Sequence, residues 1–440
     1  MAALPSFPSS FTWGVSTAAY QIEGAVQEDG RGRSIWDTFA HTPGRVRDGD
    51  TGDVACDHYH RWAEDVALLK DLGVDAYRFS IAWPRVQPAG SGPVNAKGLD
   101  FYDRLVDELV AAGIAAVPTL FHWDLPQALE DAGGWLSRDT SYRFAEYAAL
   151  VVDRLGDRVS RWITLNEPIV HMAQGYAFGT HAPGRELMFG ALPVAHHQLL
   201  GHGLAVRALR AAGAAEVMLT NNCTPVLPAS ESEADVAAAA VYDGFHNRLF
   251  LDPVLLGENP LLDGAPCVRD GDREIIATPL DALGINYYNP TRIAAPPQGS
   301  PLPFATVPVE GVPTTAFGWP VVPDGLRALL VGLRERYAAA LPPIHITESG
   351  CSTVDEVTPD GRIHDTARID YLDGHLRALH EAIGEGVDVR GYFVWSLLDN
   401  FEWAEGYQQR FGLVRVDYDT QRRTPKDSFT WLRAALRDQR

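Results

Sequence analysis

Seven times along this chain an amphipathic stretch is followed by a glycine or short turn and then by a short run of apolar and β-branched residues. Residues 57–72, DHYHRWAEDVALLKDL, place Tyr59, Trp62, Val66 and Leu69 at helical spacing, Gly73 can close that helix, and AYRFSI (76–81) reads as a strand. The cycle recurs as GLDFYDRLVDELVAA with Gly113 before IAAVPTLF, and as residues 139–155 with Gly156 before RWITLNEP. Less regular versions lead into EVMLTNN (216–222), LGINYY (283–288), IHITESG (344–350) and RGYFVWSLLD (390–399). With the early run FTWGVS these make eight strands alternating with helices, which predicts an α/β chain folded as a single (β/α)8 TIM barrel. No Ser/Gly/Pro-rich or single-charge run divides residues 1–440, so one domain is expected, with long βα loops forming its active-site mouth. The Pro/Gly-rich segment 290–323 reads as long surface loop, and 251–282 as an irregular link.

Composition sets the class of partner. With 46% hydrophobic and 21% charged residues in 440, the chain can bury a large core, and disordered or fibrous classes fall away. Fifty-seven acidic against 37 Lys and Arg residues leave a net charge of −20, which repels phosphate backbones and anionic lipid. The expectation is therefore a neutral small-molecule partner, no nucleic acid and no membrane, in a monomer or homo-oligomer. The start, MAALPSFPSSFTWGV, has neither a basic n-region nor a long apolar h-region, and no stretch approaches about 18 uninterrupted apolar residues, so a cytoplasmic chain is expected. Cys56, Cys223, Cys267 and Cys351 are far apart and form no CxxC pair, as suits reduced thiols.

The run IHITESG then poses a question, because an apolar strand delivers a carboxylate, Glu348, at its tip. In a (β/α)8 barrel the C-terminal strand ends form the active-site face, so such a residue points into the catalytic mouth. The polar residues at or near the other strand ends then become candidates: Gln21, Arg78, His122, Asn166, Glu167, Asn286 and Tyr288, joined by the aromatic and acidic cluster after the eighth strand. Two glutamates, several amide and imidazole groups and the tryptophans 395 and 403 suit a carbohydrate, whose hydroxyls need hydrogen bonds and whose ring faces need flat platforms. Glycoside hydrolysis needs one protonated and one ionised carboxyl; a separation of roughly 5 to 5.5 Å gives retention through a covalent intermediate, and roughly 6.5 to 9.5 Å gives inversion.

The segments FTWGVSTAAYQIEGA (11–25), YRFSIAWPRV (77–86), TLFHWDLPQAL (119–129), WITLNEP (162–168), LGINYY (283–288), ITESG (346–350) and WSLLDNFEWAEGYQQRFGLVRVDY (395–418) resemble glycoside hydrolase family 1, the β-glucosidase family, from about residue 8 to 433. The resemblance implies Glu167 as general acid/base and Glu348 as nucleophile. It implies Gln21, His122, Asn166, Trp395, Glu402 and Trp403 as substrate-binding residues, with Asn166 on the 2-hydroxyl and Trp395 as the floor. It implies Arg78, Asn286 and Tyr288 in support, Arg78 and Tyr288 keeping Glu348 ionised. Glu402 in this family goes with neutral sugars, since a carboxylate there repels a 6-phosphate. No cofactor and no metal are implied. The family's usual TENG reads TESG here, Ser349 standing for asparagine.

The implied activity is that of a retaining exo-β-glucosidase acting on terminal β-D-glucose of short oligosaccharides and of aryl or alkyl glucosides, with β-galactosides and β-fucosides as side substrates. A transglycosidase using the same site is the alternative, and an inactive sugar-binding relative disagrees with the presence of both glutamates. Other signals carry less. RDGDTGD (47–53) starts like a calcium loop but has Tyr59 at the twelfth position, so a solvated acidic turn is expected. His58 and His60, and His196 and His197, lack a third metal ligand. GxSxG, GxxxxGK[ST] and HExxH are absent.

Overall fold

A computed structural model describes residues 3–440. Eight parallel strands close into a barrel: β1 Thr12–Ser16, β2 Ala76–Ser80, β3 Ala115–Phe121, β4 Arg161–Asn166, β5 Glu216–Asn222, β6 Ala282–Asn286, β7 Ile344–Ser349 and β8 Val389–Trp395. Each strand pairs with its chain neighbour, and β8 closes on β1 from Thr12 opposite Gly391 to Ser16 opposite Trp395. All eight strands expected from the repeated cycle are present.

The helices between them form for the reasons their spacing gives. In Ala96–Ala111 the buried residues Leu99, Tyr102, Leu105, Val106 and Leu109 fall on one stripe and seat the helix on the barrel. His58–Leu72 ends on Gly73 in the left-handed conformation, with its N–H returned to the carbonyl of Leu69.

Inside the barrel, Ala76, Val117, Ile163, Met218, Ala282 and Phe393 make an apolar plug from six strands. Phe393 reaches the axis because Gly14 opposite has no side chain; a Cβ there would stand 2.2 Å from the phenyl ring. With this plug below, the polar ends of the strands have only the upper rim to face.

The segment 290–323 differs from the expected loop. Thr291–Ala294 and Ala305–Val307 join Val226–Pro228 in a three-stranded sheet over the rim. Its prolines lie outside the short β-branched runs, so turn residues dominate the composition while TRIA and ATV keep their N–H groups for pairing. The link 251–282 also carries order, in the helices Leu249–Leu255 and Asp272–Ile276. Among the described residues no helix is long and apolar enough to cross a membrane. The four cysteines are unpaired.

Candidate active site

At the rim, β4 breaks its register with β5 between Ile163 and Asn166, and Glu167 follows with φ 44°, left-handed for a residue that pays a steric cost there. Pro168 fixes the start of the next helical turn, and the Glu167 N–H is held by the carbonyl of Thr220. This kink turns the side chain into the mouth. On the other side of the mouth, β7 shifts register after Ile346 and presents Glu348. Gly350 behind it is required by close approach, since a Cβ would lie 1.8 Å from the carbonyl oxygen of Trp395.

Both carboxyl groups line one cavity of about 400 Å³, with His122, Tyr288, Trp395, Glu402 and Trp403. Gln21, Arg78, Asn166 and Asn286 are buried directly behind that lining and hold it. Every residue singled out from the sequence is therefore gathered at this one mouth. No group of three or more His, Cys, Asp or Glu able to hold a metal occurs among the described residues.

The two glutamates have unlike surroundings. Glu348 accepts from Arg78 at 2.6 Å on Oε1 and from the Tyr288 hydroxyl at 2.7 Å on Oε2. Glu167 meets only neutral donors: Asn222 at 3.0 Å and Asn286 at 2.8 Å, both on Oε1. Burial, then the charge of Glu348, push the Glu167 carboxyl up to about 8. Burial also raises Glu348 above the ordinary carboxylate range, against the lowering pull of Arg78 and Tyr288. With a full positive charge on one partner and none on the other, a single proton shared by the two resides on Glu167.

Neighbouring amides are orientated by their partners. Asn166 Oδ1 accepts from Arg78 at 2.5 Å and from Asn286 at 3.1 Å, so its amide nitrogen donates to His122 Nε2 at 3.0 Å. His122 therefore carries its hydrogen on Nδ1, and burial and Arg78 keep the ring neutral. Gln21 donates to Asn400, to the Phe401 carbonyl and to Glu402.

Burial, then the charges of Glu348 and Glu167, raise Glu402 above the ordinary carboxylate range. The lining contains no lysine or arginine among the described residues, which removes the cations a phosphate would need.

Asn222 was missed in the sequence although it closes β5 as the other candidates close theirs; the strand-end rule finds it once applied to that strand. Trp123, Phe317, Trp319 and Phe411 also line the mouth, from loops whose approach no local pattern announces. Ser349 is fully buried beside Tyr371 and Tyr392 and does not line the cavity. The acidic turn is more than solvated: Asp50 accepts from the Tyr407 N–H at 2.9 Å and Asp48 from Gln408 at 2.9 Å, pinning the loop that carries Trp403. His58 and His196 are buried structural histidines, each against an aspartate, Asp65 and Asp272.

A closed (β/α)8 barrel with two carboxyl groups in one aromatic-walled cavity is the architecture of a glycosidase. The chain belongs to glycosyl hydrolase family 1, whose model matches residues 4–440. It is 53% identical to a thermostable β-glucosidase B of Thermobispora bispora over 98% of this chain and 91% of that one. It is 48% identical to a bifunctional β-D-glucosidase/β-D-fucosidase of Bifidobacterium breve, over 98% of each chain. The crystal structure of a psychrophilic β-glucosidase from Micrococcus antarcticus superposes with a TM-score of 0.96 at 47% identity, covering 100% of both chains.

Proposed function

We propose that this glycoside hydrolase is a retaining, exo-acting β-glucosidase that removes terminal non-reducing β-D-glucose from aryl and alkyl glucosides and short oligosaccharides, and that it also takes β-fucosides and β-galactosides. Relatives named β-glucosidases, one of them also a β-fucosidase, support the glycone. The observation that carries the chemistry is the contrast between Glu348, held by Arg78 and Tyr288, and Glu167, held by two amides and pushed up to about 8.

In the first half-reaction the ionised Glu348 attacks the anomeric carbon while the bond to the leaving oxygen breaks, and Glu167 gives its proton to that oxygen. The product is a glucosyl ester of Glu348 and a free alcohol. Esterification removes the Glu348 charge that had raised Glu167, so Glu167 becomes a competent base; the Asn222 and Asn286 amides stabilise its carboxylate. A water then loses a proton to Glu167 and attacks the anomeric carbon, releasing glucose with retained configuration and restoring the Glu348 carboxylate. Asn166, His122, Gln21, Glu402 and Trp403 hold the sugar hydroxyls and Trp395 the ring face. High acceptor concentration would divert the ester to transglycosylation at the same site.

The test is Glu348→Ala with added azide and an aryl β-glucoside. The variant should lose hydrolysis and regain turnover with azide, giving the α-glucosyl azide. A β-linked azide, or hydrolysis at the wild-type rate, overturns the assignment.

A further inference from the structure

Tyr288 lies two residues past Asn286, the last paired residue of β6, yet its hydroxyl must meet Glu348 Oε2 at 2.7 Å. What directs it comes from the helix layer outside the barrel. The hydroxyl of Tyr371 donates to the carbonyl of Tyr288 at 3.1 Å. The preceding residue, Tyr287, gives its N–H to the carbonyl of Glu348 at 3.0 Å, so one short segment grips both the backbone and the side chain of that glutamate.

Tyr371 sits on the inner face of the helix Thr366–Gly384, whose buried residues Arg368, Tyr371, Leu372, His375 and Leu379 form one stripe. His375 follows it by one turn and stacks on its ring with centroids 3.8 Å apart. The His375 Nδ1 lies 2.7 Å from the Tyr371 carbonyl and must donate to it, because a carbonyl only accepts. This fixes the phenol ring. One turn earlier, Arg368 donates to the carbonyl of Cys351 at 3.4 Å. The same helix face thus touches the two segments that present the Glu348 carboxylate, one beyond β6 and one beyond β7.

A comparison stands beside it. Tyr371 and Tyr392 are both buried next to Ser349. The hydroxyls of Tyr392 and Ser349 have no hydrogen-bond partner among the described residues. A serine reaches less far than the asparagine of the family's TENG and carries fewer polar groups. Of the two phenols, that of Tyr371 is the one tied to the site.

Resting on the reading of Glu348 as nucleophile, we propose that Tyr371 is a positioning residue for it: its hydroxyl, donated to the Tyr288 carbonyl, sets the angle at which Tyr288 meets Glu348, and the Tyr392 hydroxyl has no such part.

Glu348 is faced by Arg78 from β2, by Glu167 at the end of β4, by Asn286 and Tyr288 at the end of β6, and by Glu402 beyond β8. Arg78 and Tyr288 each donate to one of its oxygens. Loss of the Tyr371 hydroxyl frees the Tyr288 carbonyl, lets the phenol tilt and weakens one of those donors, so the carboxylate form is less favoured.

The experiment compares wild type, Tyr371→Phe and Tyr392→Phe, each change removing one oxygen and keeping the ring. Kinetics with nitrophenyl β-glucoside across pH are joined by carbon-13 titration of labelled glutamate, with Glu348→Gln assigning the signal. Tyr371→Phe should lower kcat about five- to tenfold with KM within twofold, and should move both the acidic limb of kcat/KM and the Glu348 titration upward. Tyr392→Phe should stay within about twofold of the wild type, with both titrations unmoved. In a Tyr288→Phe background, Tyr371→Phe should cost less than about twofold more, since its route to Glu348 is gone. Equal losses in the two single variants, an unmoved Glu348 titration in Tyr371→Phe, or a full further loss in the Tyr288→Phe background overturns the proposal. If the wild type turns over no glucoside the glucosidase reading itself has failed, and the Glu348 titration in the same proteins still decides the role of Tyr371.

Discussion

Arg78 on β2 and Glu348 on β7 form a buried ion pair at 2.6 Å across the barrel axis. Both side chains are almost wholly shielded from water, so neither could be held charged alone. The arginine also donates to Asn166 and to Thr119, which fixes its planar head. Arg78→Lys keeps the charge and loses that fork. We expect kcat/KM for nitrophenyl β-glucoside to fall about 100-fold and the acidic limb of its pH profile to move upward, because burial then raises Glu348 with less opposition. An unmoved acidic limb would show that Arg78 does not tune the nucleophile.

Glu167 is raised first by burial and second by the charge of Glu348. Glu348→Gln removes only the second cause, so the Glu167 carboxyl should titrate well below about 8 in that variant. Carbon-13 NMR of labelled glutamate, with Glu167→Gln as the assignment control, reads the shift. In the wild type the acid is lost as pH rises through about 8, and the basic limb of kcat/KM for a poor leaving group should fall there.

His246 reaches Glu167 through Asn222. Asn222 gives its amide nitrogen to Glu167, so its carbonyl oxygen must accept from His246 Nε2, and Tyr242 then donates to Nδ1. Burial holds the His246 ring neutral, its pKa down at about 4, so this tautomer persists through the working range. His246→Phe leaves Asn222 unanchored and the Glu167 carboxylate less stabilised. Deglycosylation, read with a dinitrophenyl glucoside, should slow by about three- to tenfold, and the basic limb of kcat/KM for a poor leaving group should move up. His246→Gln should recover part of both. A loss confined to KM would mean that His246 acts on substrate binding and not on Glu167.

Asp124 is fully buried, neither of its carboxyl oxygens has a hydrogen-bond partner among the described residues, and burial pushes it up to about 8. The unfolded carboxyl ionises near 3.9, so between about 4 and 8 the folded chain binds a proton that the unfolded chain does not. Its contribution to stability is complete below that window and is lost as pH rises through it, at up to ~1.4 kcal/mol per pH unit. Urea melts at pH 5 and pH 8.5 should show Asp124→Asn with a smaller drop than the wild type. An identical drop would mean that Asp124 is already ionised at pH 5.

Residue order alone determined the strands and the identity of the charged tips. An apolar run ending in Asn166 and Glu167, or in Glu348, can be read without any neighbour, because period and composition are local properties. The eightfold alternation of these runs with amphipathic stretches left one economical closure, and the family resemblance named the chemistry.

What lay beyond that reading depends on residues distant in the chain. Loop 290–323 looked unstructured because its pairing partner, Val226–Pro228, sits elsewhere in the sequence. Asn222 gained its meaning only when β5 came to lie beside β4, and His246 only when a π-helical turn set it behind Asn222. The chain order supplied two chemically identical glutamates. Folding made them different, since solvation and charge depend on distances in space: 2.6 Å from Arg78 for Glu348, and two neutral amides for Glu167.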